Sequence, residues 1–120
     1  MDNHLQPPGK TTIAPDVLIS IARLTTLSIP GVSKLSTSPS DMNQFFKRGF
    51  GTNEGVRILV EDHAVYADIY VVLQSDVNVR EVSHNIQSQV ARAISEMVGM
   101  DVGKVNVHVE DIEYSQNPES

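Results

Sequence analysis

Between Gly55 and Tyr114 the chain alternates apolar and polar residues twice, changes to an apolar period of three to four, and returns to alternation. In the first alternating run Val56, Ile58 and Val60 face one way, with Arg57, Leu59 and Glu61 opposite. Asp62-His63 sits near a turn, and a second run covers about Ala64 to Gln74. There Val65, Ala67, Ile69, Val71 and Leu73 share a face, while Tyr66, Asp68 and Tyr70 point the other way. The pair predicts a hairpin with one buried and one wet face. The period then lengthens: Val79, Val82, Ile86, Val90, Ile94 and Met97 fall on one helical stripe, with Arg80, His84, Gln87, Arg92 and Glu96 off it. Asp76 is a plausible cap for this helix, and Asn78, with Glu81 three residues later, is the competing choice. Gly99 is placed to end it. A last strand carries Val105, Val107 and Val109 inward and Asn106, His108 and Glu110 outward.

The first half is patterned less evenly. Residues 1–8 and 115–120 read as polar tails. Lys10 to Ala14 reads as a short first strand with Ile13 inward. Pro15 suits the first helical position, where no amide hydrogen is needed, and Asp16 favours the positive end of the helix dipole. Val17, Leu18, Ile21, Ala22, Leu24 and Thr25 form the apolar stripe of this helix, which Pro30-Gly31 stops. Val32 to Ser36 is a short strand or an extended connector, and 37–54 reads as a long loop. The whole predicts one α/β (α+β) domain over 9–114. Its elements run strand, helix, hairpin, helix, strand, with a small sheet of three to four strands, mixed or antiparallel, and both helices on one face.

Composition narrows the function rather than the fold. With 120 residues and 40% hydrophobic content the chain suits a single core. It contains no cysteine, so disulfides, thiolate metal sites and cysteine nucleophiles are excluded. MDNHLQPPGK lacks the charged start and apolar core of a secretory signal, and no apolar run approaches the roughly 18 residues of a membrane span. A cytoplasmic protein is expected, touching membrane only through a partner. The net charge is −6 and uneven: six Lys/Arg face four Asp/Glu up to Val60, and three face eleven from Glu61 onward. An acidic half opposes non-specific nucleic-acid binding, which requires basic residues to displace counterions.

Little is left over for chemistry. His84 and His108 belong to opposite sides of the packing and do not converge as a metal site would require. Asp68 between Tyr66 and Tyr70 could neighbour Arg57 across the hairpin, but nothing suggests a pocket that would make it an acid or base. No catalytic, metal or cofactor-binding residue is expected, and the chain is read as a non-enzyme. Two places suit a partner. FFKRGFG, with Phe45, Phe46, Lys47, Arg48 and Phe50, mixes aromatic and basic residues that dock partners well, although the same rings could simply close over the core. The wet sheet face, with Arg57, Leu59, Tyr66, Tyr70 and His108, suits a protein partner or a further copy of the chain.

Three stretches carry a resemblance: GKTTIAPDVLISIARLTTLSIPGV, GVRILVEDHAVYADIYVVL, and VREVSHNIQSQVARAISEMVGM followed by VNVHVEDI. Together they resemble the alkaline-shock-protein, or envelope stress response, family of bacteria. The resemblance implies a small α/β domain with no established enzymatic activity and no cofactor. It also implies a cytoplasmic protein associated with the cell envelope, held there by a small membrane-protein partner, and self-associating. Some relatives are linked instead to control of fatty-acid synthesis, which gives the alternative reading of a regulator acting by protein binding; a nucleic-acid-binding module is a further alternative. FFKRGFG departs from the bare family pattern.

Overall fold

The computed structural model describes residues 9, 11–36, 50–53 and 55–114, with the side chains of 50–53 excepted. Helix α1 (Pro15–Leu27) leads into β1 (Val32–Leu35), followed by β2 (Phe50–Asn53), β3 (Val56–Glu61), β4 (Ala64–Gln74), helix α2 (Val79–Val98) and β5 (Asp101–Glu113). The class is α+β, with both helices contributing to one core against the sheet.

Strand β4 organises the sheet. It pairs antiparallel with β3 through the two-residue turn Asp62-His63, whose φ values of 53° and 67° are those of a type I′ hairpin turn. It also pairs antiparallel with β1, over Val71 to Leu73. Because β3 occupies Ala64 to Ile69, β1 and β3 lie end to end along one edge of β4. They meet at Tyr70, whose N–H donates to the Gly55 carbonyl (2.7 Å) and whose carbonyl accepts from the Ser36 N–H (2.8 Å). Gly55 is required at the junction. Its φ is +86°, and a Cβ there would lie 2.5 Å from the Ser36 carbonyl oxygen. Strand β2 extends this side by pairing antiparallel with β3. It forms inside the 37–54 stretch read as a connection, so the sheet has five strands.

On its other edge β4 pairs with β5, and this ladder is parallel. The connection through α2 makes the direction possible, since parallel neighbours need a crossover. Register shifts at Gly103 and Glu110 accommodate thirteen residues of β5. Each bulge reverses the alternation. Val102 opposes Val65 before the first bulge, Val105, Val107 and Val109 oppose Ala67, Ile69 and Val71, and Ile112 opposes Leu73 after the second. Even and odd residues thus share the inner face.

The core joins that face to both helices: Val56, Ile58, Val65, Ile69, Val71 and Leu73 from the sheet, Leu18, Ile19 and Ala22 from α1, Ile86, Val90 and Ile94 from α2. Fully burying each large aliphatic side chain contributes about 1.5–3 kcal/mol. Asn78 caps α2, its Oδ1 accepting the Glu81 N–H at 2.9 Å, while Asp76 sits in the preceding turn at φ 71°. Gly99 closes the helix at φ 73°, its N–H donating to the Ser95 carbonyl.

Three expectations are corrected. Thr11 to Ala14 is not a strand. Ala14 is extended (ψ 144°) because a residue before proline avoids the helical region. The stripe of α1 is rotated: Leu18, Ile19, Ile21, Ala22 and Thr26 are buried, whereas Val17 and Leu24 are exposed. Alpha-helix α1 is apolar on two sides, so spacing alone could not choose between them. In α2 the stripe is shorter than its period: Val79 and Met97, at the two ends of the helix, are exposed.

Candidate interaction surface

The face of the sheet opposite the helices carries an ordered array of polar and aromatic groups. Alternation places Arg57 and Leu59 of β3, Tyr66, Asp68 and Tyr70 of β4, and Lys104, Asn106 and His108 of β5 on it. Register then brings them together in rows. Tyr70 lies beside His108, and their rings stack with centroids 4.4 Å apart and planes 13° from parallel. The Tyr70 hydroxyl accepts from Arg57 Nη1 at 2.9 Å. Asp68 lies between Arg57 and Asn106 in the ladder, and its Oδ1 accepts from Asn106 Nδ2 at 3.1 Å and meets His108 Nε2 at 3.0 Å. The array therefore ties three strands across one surface.

Its aromatic members differ in exposure. Tyr70 is buried at 8%, held between the His108 ring and the Arg57 guanidinium, whereas Tyr66 (39%) and Leu59 (36%) stand out. These two are direct neighbours across the β3–β4 ladder. The Tyr66 ring lies over Gly103, where a Cβ would come within 2.4 Å of it. The bulge glycine is what lets an aromatic ring lie down on β5. The surface thus presents an apolar pair, Leu59 and Tyr66, beside a rigid polar row.

The expected wet-face residues Arg57, Leu59, Tyr66, Tyr70 and His108 are all on this surface. Phe45, Phe46, Lys47 and Arg48 lie outside the described residues, and Phe50 opens β2 with its side chain also outside them. Asp68 was expected beside Arg57. The register agrees, but its carboxylate turns to Asn106 and His108 on β5, a pairing that needs the parallel register to be known. His84 is exposed on α2 and His108 lies across the sheet from it. Among the described residues no three His, Asp or Glu side chains are grouped to hold a metal ion. An open concavity of about 540 Å³ beside the start of α2 is lined by Gln74, Val77, Val79, Ile112 and Tyr114 among others, with Asp76 its single carboxylate. Such a lining offers contact area rather than paired acid and base groups.

The fold and this surface define a small α+β domain built around an open sheet. It is a member of the alkaline shock protein 23 family, described by a cell envelope-related function, whose model matches residues 4–114. Among relatives, the uncharacterized protein Spy1535 of Streptococcus pyogenes is 38% identical over 111 residues, covering 92% of this chain and 84% of that protein. The uncharacterized protein YqhY of Bacillus subtilis is 25% identical over 115 residues, covering 94% and 82%. Of solved structures, a single-substitution variant of MamM-CTD superposes with a TM-score of 0.52 at 13% identity, covering 83% of this chain and all of that one. At that identity the likeness is one of fold. No helix among the described residues is long and apolar enough to cross a membrane.

Proposed function

We propose that this chain is a non-catalytic scaffold of the bacterial cell envelope, acting in the cytoplasm by binding a protein partner and further copies of itself. The observation that carries the reading is the organised open face. Arg57, Tyr70, His108, Asp68 and Asn106 hold one another in place, so a partner meets a preformed surface and little side-chain freedom is lost on binding. Leu59 and Tyr66 beside them supply the apolar contact that protein interfaces place inside a polar rim. Family membership supports the envelope setting. The aromatic and basic residues Phe45, Phe46, Lys47, Arg48 and Phe50 are a second contact in this proposal. A membrane-anchored protein is the partner the reading calls for, since the chain itself offers no spanning helix among its described residues.

The test is affinity capture with the full chain from membrane and soluble fractions of the native host, read by mass spectrometry. A membrane protein captured by the native chain should be lost with Leu59→Ser/Tyr66→Ser and weakened with Phe45→Ser/Phe46→Ser/Phe50→Ser, while thermal melting stays near native. Capture of soluble enzymes alone would replace the envelope scaffold with a regulator of lipid synthesis.

A further inference from the structure

Strand β5 has one edge in the β4 ladder, and among the described strands its other edge pairs with none. The direction of its backbone groups follows from three contacts. The N–H and carbonyl of Tyr70 both point toward Gly55 and Ser36, on the β1/β3 side. Ile69 and Val71 therefore point toward β5, and in a parallel ladder they bond the residues flanking their partners Val107 and Val109. Between the two bulges the even-numbered residues of β5 face β4, and Val105, Val107 and Val109 direct their N–H and carbonyl groups to the open edge. Gln87 confirms the direction by donating its Nε2 hydrogen to the Val105 carbonyl at 3.2 Å.

The sequence along that edge is complementary to itself. Lys104-Val105-Asn106-Val107-His108-Val109-Glu110 has valines at the three outward-bonding positions and opposite charges at its two ends. Laid antiparallel on a second copy about a two-fold axis at Val107, it sets Lys104 against Glu110, Val105 against Val109, and Asn106 against His108. The Val107/Val107 and Val105/Val109 pairs are then the ones that exchange N–H···O=C bonds, which is what the backbone directions require. Lys104 and Glu110 are both exposed, and in a chain of net charge −6 their pairing replaces repulsion with attraction at the join. The bulges at Gly103 and Glu110 bound the stretch and leave it regular between them. A strand edge of this kind templates another strand unless it is blocked.

We infer that two copies of this chain associate through β5, antiparallel and centred on Val107, making one sheet continuous through both. The inference rests on the self-association in the proposed function and specifies where it occurs. The Val105 carbonyl has a second lone pair, so Gln87 and the partner's amide can share it. Symmetry makes every contact occur twice, so a single charge reversal acts on two pairs.

The experiment uses the full chain and measures its dimer Kd by sedimentation. Lys104→Glu and Glu110→Lys should each weaken association about tenfold, and the double variant should return to within about threefold of native. Melting temperatures confirm that the exposed substitutions leave the fold intact. Because the chain has no cysteine, Asn106→Cys and His108→Cys proteins can be mixed under oxidation. The mixture should form more covalent dimer than either protein alone. Association that ignores the charge reversals, or a mixture that cross-links no better than its components, overturns β5 pairing and leaves self-association standing elsewhere. A chain monomeric at every concentration overturns both.

Discussion

The two faces of the sheet are built by the same strands and obey different rules. On the inner face Val56, Ile58, Val65, Ile69 and Val71 are sealed against two helices, and their chemistry is interchangeable: any aliphatic group of the right volume would do. In the polar row of the open face no residue is interchangeable with its neighbour. Arg57, Tyr70, His108, Asp68 and Asn106 each make a contact that depends on the donor, acceptor or ring of the next. The inner face is specified by volume and the open face by chemistry. On the proposed function, stability lives on one side and recognition on the other, and mutation should separate the two.

The largest expected effect is on the inner face. Ile69→Ala deletes a fully buried side chain at the centre of the sheet and should cost about 2–5 kcal/mol, read as a fall in the urea midpoint at unchanged slope. Tyr66→Ser, one ladder step from the middle of the open face, should cost less than about 1 kcal/mol, since the ring is already partly in water. Equal losses for the two would break the division between faces.

A smaller effect sharpens the comparison within the open face. Asp68→Ala and His108→Ala remove the two ends of one contact at 3.0 Å, with side chains 33% and 40% exposed. Solvent screening limits the pair, so a double-mutant cycle should give a coupling of about 0.2–1 kcal/mol. A coupling near zero would mean that the row is held by strand geometry alone. A value well above 1 kcal/mol would make the open face a second stabilising layer.

Much of this division was legible in the sequence, because period two assigns every residue of β3, β4 and the middle of β5 to a face without knowing the neighbours. The turn at Asp62-His63 and the Gly99 stop were legible for the same local reason, and Asn78 was already one of two candidates for the cap. What could not be read is how strands sit side by side. Alternation carries no direction, so nothing in VNVHVEDI says that β5 runs parallel to β4; that follows from the crossover through α2. Nor does it say that β1 and β3 share an edge of β4, which depends on Gly55 admitting the Ser36 carbonyl. The Asp68–Asn106–His108 cluster was hidden by that gap, since its members are 38 and 40 residues apart and meet only through the parallel register. In α1, Leu24 and Ile21 are equally apolar by composition, and only the position of the sheet decides which is buried.

A comparably small effect, of opposite sign, is expected at the end of the hairpin, where the two faces come together. Asp62 and His63 both hold positive φ, a conformation in which a Cβ crowds the carbonyl and which asparagine and glycine adopt at lower cost. His63 is exposed, so its side chain contributes little burial to offset that strain. His63→Gly should therefore stabilise by about 0.5 kcal/mol, the relief of strain exceeding the added freedom of the unfolded chain. The gain should appear as a higher urea midpoint, with capture of partners unchanged because the turn lies outside the open-face array. A loss of stability on His63→Gly would mean that the imidazole holds the turn by contacts of its own. The border between the faces would then be specified by side-chain chemistry and not by backbone twist.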